Sequence, residues 1–151
     1  KNPYISDVWY QMGKALSKLS GRNDQAISAL ENSIHLDPNN IEATHLLGKL
    51  LHKADKIDRA YTLLKKSMEN NPSSETGYLL SAIAYEKKRY KDSIVYSEDT
   101  LSLDPTKIDV LLVIGRAYGK IDMPEEYKQC LRKYLHYKPD DEKVKLEMES
   151  I

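Results

Sequence analysis

"ATHLLGKLLHKADKIDRAYTLLKKSMENNP", residues 43–72, decides the fold. Leu47, Gly48 and Leu51 make one apolar stripe at helical spacing. Ala60, Leu64, Ser67 and Met68 make a second. Asp55 and Asp58 stand at the break between them and suit the start of the second helix. Pro72 closes the segment, because the residue ahead of a proline is pushed out of the helical region. The stretch reads as two helices, a tight turn and a stop.

That stop recurs. Pro3, Pro38, Pro72, Pro105 and Pro139 are spaced by 35, 34, 33 and 34 residues. The residues after them, such as "NN", "SS" and "DD", can cap the next helix. A fixed period of this size means a stacked array of helix pairs. Glycine and proline are few, at six each, and strand-like alternation is hard to find. The fold class expected is all-α, a solenoid of helix-turn-helix repeats with about nine helices.

The pattern resembles the tetratricopeptide repeat family, whose signature is W-x2-L-G-x2-Y…A-x3-F…P. Trp9, Met12, Gly13, Leu16, Ala26, Leu30 and Pro38 fill it first. Thr44, Leu47, Gly48, Leu51, Ala60, Leu64 and Pro72 fill it next. Tyr78, Ser81, Ala82, Tyr85, Ser93, Ser97 and Pro105 are aligned as the third set, and Leu111, Ile114, Gly115, Tyr118, Tyr127, Leu131 and Pro139 as the fourth. The small residues at 13, 48, 82 and 115 let the paired helix approach, and Ala26 and Ala60 do so from the partner side.

The boundaries that follow are 1–5 as the tail of an upstream repeat, then repeats at 6–40, 41–74, 75–107 and 108–141. Residues 142–151 form a terminal capping helix with Val144, Met148 and Ile151 on one face, or the start of a further repeat. The first repeat carries an extra residue near Ser20-Gly21, and the third lacks one near Lys88-Arg89. Tyr127 and Tyr134 replace small residues in the last repeat, so its second helix should sit further out or meet an unusual neighbour.

Lys plus Arg and Asp plus Glu both number 23, and this charge balance argues against a nucleic-acid partner. No apolar run is long enough to insert into a bilayer, and there is no signal-peptide pattern. The single cysteine, Cys130, rules out an internal disulfide and fits a reducing, cytoplasmic setting. A start at Lys1 is expected of a processed form or an excerpt.

The resemblance implies a right-handed superhelix whose first helices line a concave groove for a partner protein or peptide, extended or helical. "YLLSAIAY", residues 78–85, carries no charge, so its second face needs a cover. On this alignment Leu79, Leu80 and Ile83 face the groove with Leu112 and Val113, making one apolar anchor surface. Tyr10, Lys14, His45, Lys49 and Arg116 complete the groove and give it a basic rim. The competing account covers this surface with the terminal helix, Leu146 acting as plug. A rival function is self-assembly into a homo-oligomer through the aromatic outer helix bearing Tyr127, Tyr134 and Tyr137.

Other chemistries find no foothold. The residues that some relatives use to clamp a terminal carboxylate are absent at the matching places, which hold Leu46, Thr76 and Leu80. His45 and His52 lie seven residues apart, too far along a helix to share one metal. No phosphate loop, serine elbow or His–Cys–Asp cluster is evident. The chain is expected to be a non-catalytic scaffold without cofactor or metal.

Overall fold

The computed structural model describes residues 3–151, and among them there are nine helices and no strand. They are α1 (Pro3–Ser17), α2 (Asn23–Leu36), α3 (Ile41–Lys53), α4 (Ile57–Asn70), α5 (Ser74–Glu86), α6 (Tyr90–Leu103), α7 (Val110–Lys120), α8 (Pro124–Tyr137) and α9 (Glu142–Glu149). Residues 1 and 2 of the expected upstream tail lie outside the described residues, while Pro3, Tyr4 and Ile5 belong to α1. The fold class is an all-α helical repeat solenoid.

The helix boundaries come from local chemistry. Asn40 caps α3 by accepting the Ala43 N–H at 2.8 Å, and Asp141 caps α9 by accepting the Val144 N–H at 3.2 Å. The Ser73 hydroxyl accepts the Thr76 N–H at 3.2 Å. Pro124 opens α8, where its missing N–H leaves no bond unmade.

Three helix-pair turns share one geometry. Asp55, Lys88 and Asp122 take left-handed backbone conformations with φ of 58°, 58° and 61°. In each turn the next residue's N–H reaches back five positions, Lys56 to Leu51, Arg89 to Ala84 and Met123 to Tyr118, at 2.8–3.0 Å. Asp55 therefore ends α3 in a left-handed cap, where the sequence reading had it open α4. The first turn is longer, five residues (18–22) against three, and uses Gly21 at φ 75°, at the place of the expected insertion.

The chain divides into two compact units, the first ending at Thr76 and the second spanning Gly77–Ile151. In the first, α1 pairs with α2, α3 with α4, and α2 packs on α3. Close approach explains Gly48: a Cβ there would lie 2.6 Å from Leu64 Cδ2, and Leu64 is itself fully buried. In the second unit, Ile94, Ile114, Ala117 and Cys130 form one core cluster. Leu111, Leu131, Tyr134 and Val144 form another, which joins α7 and α8 to α9.

The third repeat departs from the sequence alignment. Its turn has the same length as those at Asp55 and Asp122, so no residue is missing at Lys88-Arg89. The missing residue lies earlier: Ser81 follows Pro72 by nine positions, whereas Gly48 follows Pro38, and Gly115 follows Pro105, by ten. Ser81, not Ala82, is the small residue at the helix crossing. Ser93 Oγ donates to its carbonyl at 2.8 Å, and both serines are fully buried. One position along a helix is a rotation of about 100°. Leu80 and Ile83 accordingly turn into the core with no exposure at all, while Tyr78 turns outward and is 39% exposed.

Candidate protein-binding surface

The corrected register redraws the apolar surface. Three residues before the crossing residue of each repeat stand Tyr10, His45, Tyr78 and Leu112; two before stand Gln11, Leu46, Leu79 and Val113; one after stand Lys14, Lys49, Ala82 and Arg116. Leu80 and Ile83, expected in the groove, are core residues and leave the surface. Tyr78 and Ala82 take their places. Tyr78 could have been found from sequence by holding the distance between crossing residues constant: twelve from Gly48 to Ala60, twelve from Ser81 to Ser93.

In the second unit, Leu79, Leu112 and Val113 are half-buried. Leu112 already packs on the cluster that includes Val144, alongside Met148. In the first unit, Lys14 is exposed and sits 5.7 Å from the centre of the Tyr10 ring, a cation–π contact. His45 and Leu46 are half-buried and Lys49 is exposed. Among the described residues no three metal-ligating side chains come together.

Arg116 is not an open rim charge. Its guanidinium makes a two-pronged bond to Glu147 of α9, Nε to Oε1 at 2.8 Å and Nη2 to Oε2 at 2.7 Å. The Tyr127 hydroxyl donates to the same Oε1. Arg116, foremost, and then the Tyr127 hydroxyl hold the Glu147 carboxyl below the usual carboxylate range. Burial, aided by Glu147, pushes the Tyr127 phenol up to about 12. Glu147 was invisible as a site residue in the sequence, since nothing marks it out from the other acids of "DEKVKLEMESI".

The tyrosines of α8 separate. Tyr134 is buried, with its hydroxyl donating to Asp141 at 3.1 Å, and Tyr127 is turned toward α9. Only Tyr137 of the three is exposed, so they do not form the joint self-association surface expected of them. Leu146 is 65% exposed and plugs nothing; Val144 and Met148 make the inward face of α9.

The comparisons with known proteins agree with this architecture. The tetratricopeptide repeat family pattern matches residues 19–83. Those residues are similar to tetratricopeptide repeats. The TPR repeat-containing protein MJ1428 of Methanocaldococcus jannaschii is 28% identical over 118 residues, 76% of this chain and 21% of that protein. The repeats described here thus span about a fifth of that relative's length. A crystal structure of MamA matches with a TM-score of 0.86 at 21% identity, over 95% of this chain and 78% of that one. A structure of PilF from Pseudomonas aeruginosa matches at 0.79 and 20%, over 96% and 66%. At these identities the structural likeness is one of fold. Tetratricopeptide repeats are protein–protein interaction scaffolds, binding proteins or peptides, and are generally non-catalytic. Among the described residues no helix is long and apolar enough to cross a membrane.

Proposed function

We propose that the chain is a scaffold that binds a segment of a partner protein on the first-helix surface of its second unit. Tyr78, Leu79, Leu112 and Val113 serve as apolar anchors, and in the first unit Tyr10, Lys14, His45 and Lys49 present a separate, more polar and basic face. The observation that carries this is the apolar row left half-covered on α5 and α7 in a chain that is 30% charged. Fully burying an aliphatic side chain is worth roughly 1.5–3 kcal/mol. Three half-buried ones therefore offer a gross gain on the order of 3–4 kcal/mol, close to millimolar affinity alone. Tighter binding requires polar contacts beside them. The proposal is tested by titrating an immobilised amphipathic peptide library with wild type and a Leu79→Asp/Val113→Asp chain. Selected peptides should lose binding to the variant; equal binding to both would overturn it.

Self-assembly is the second reading, favoured by α1 rather than by the tyrosines of α8. Val8 stands five residues before its crossing residue, as Ala43, Thr76 and Val110 do. Those three are fully buried, whereas Val8 is 65% exposed and Tyr4 80%. An apolar helix face of this kind is a protein-contact surface. Light scattering of wild type against Val8→Lys over a range of concentrations tests it: an oligomer that the variant loses supports assembly, and a monomer in both rejects it.

A further inference from the structure

We propose that Arg116 and Tyr127 form a carboxylate-binding site that α9 holds closed in cis through Glu147, and that the partner of the second unit is an acidic amphipathic helix that takes the place of α9. This rests on the binding reading above and specifies its ligand. Arg116 lies one helical turn beyond Leu112 on the same face of α7, so a segment that touches the apolar anchors also reaches the guanidinium. A planar fork with an added phenol donor is built for a carboxylate.

The fourth repeat is altered to make this site. Ala26, Ala60 and Ser93 occupy the second-helix crossing in the other repeats, and Tyr127 occupies it here. Its ring fits because α7 carries Gly119, where a Cβ would lie 2.8 Å from Tyr127 Cδ1. The phenol is thereby laid along α7 and its hydroxyl brought to Glu147. A hollow of about 370 Å3 adjoins the pair, walled by Tyr85 and Lys120 as well as Arg116, Tyr127 and Glu147. Lys120 and Asp122 put one further charge of each sign on its wall.

The resident occupant is suited to exchange. Among the described residues of α9, Val144 is the one buried side chain, and Met148 is only partly buried against the same cluster. The helix also displays the recognition pattern: an apolar residue, a carboxylate three positions on, and a second apolar residue next to it, as in Val144, Glu147 and Met148. A partner helix with that pattern matches the site contact for contact, and the closed state lowers its apparent affinity by the fraction of chains that are closed.

The test uses a fluorescent peptide of residues 140–151, titrated into the full chain by anisotropy. The Glu147→Gln chain should bind it at least tenfold more tightly than wild type. Adding Arg116→Gln should remove that gain, and a peptide carrying Gln in place of its own Glu147 should not show it. Circular dichroism should give the same helix content for all chains. Equal affinity for wild type and Glu147→Gln, or no binding to either, would overturn the proposal. Leu79→Asp in the Glu147→Gln background separates the two ideas. If the peptide still binds through Arg116, the apolar-anchor reading fails and the carboxylate site stands; if Leu79→Asp abolishes binding while Arg116→Gln does not, the reverse holds.

Discussion

Ser93 donates its hydroxyl hydrogen to the main-chain carbonyl of Ser81 at 2.8 Å, and this bond marks where α5 crosses α6. It fixes which side of an uncharged helix faces inward. Neighbouring leucines on α5 consequently have opposite roles.

Leu80 is fully buried and Leu79 is not. Leu80→Ala should cost about 2–5 kcal/mol of stability, and Leu79→Ala about 1 kcal/mol or less. Urea unfolding of the two variants measures this directly. Equal losses would mean that the register of α5 is wrong.

Ser93 has no exposed surface and abuts the α5 backbone. Ser93→Leu should overpack the crossing and destabilise the chain by about 1–3 kcal/mol, while Ser93→Ala, which loses one hydrogen bond, should cost about 1 kcal/mol. Thermal melts rank them; a Leu variant as stable as the Ala variant would refute the close approach.

Lys88 holds φ at 58°, a conformation that costs most non-glycine residues about 1 kcal/mol or more. Lys88→Gly should therefore be neutral or stabilising by up to about 1 kcal/mol, and Lys88→Val should destabilise. The same pair of substitutions at Arg89, one residue on, should not show this order.

The docking of α9 should depend on pH in a direction fixed by Glu147. Its carboxyl is depressed in the folded chain, so its contribution is fully present above the unfolded value of about 4.3 and is lost as pH falls through the lower folded value. Tyr127 is the opposite case. Its phenol is raised to about 12, so its contribution is present below the unfolded value of about 10 and fades as pH rises toward 12. Docking should be level from about pH 5 to 9 and weaken in acid. The Met148 methyl resonance reports it, and Glu147→Gln should flatten the acid limb. An acid limb that persists in that variant would assign it to another group.

Helices, turns and the repeat period were legible in the sequence because each rests on local chemistry. A proline or a capping side chain acts within a few residues of itself, and an apolar stripe repeats every turn. The chain alone thus determined a solenoid of helix pairs, small crossing residues at 13, 48 and 115, and a fifth, terminal amphipathic segment. The facing of α5 was also within reach, because the step between crossing residues is twelve in the second and fourth repeats and only Ser81 to Ser93 keeps it in the third, yet the proline count placed the missing residue on the wrong side of the helix. Arg116, Tyr127 and Glu147 are different. They stand up to 31 residues apart, and nothing local links them. Their meeting depends on α9 docking through Val144 and Met148, and on a glycine on α7 that lets the tyrosine ring lie close. Such a contact is decided only by tertiary packing, because a helix's sequence states what its face can bind and not which surface arrives to be bound.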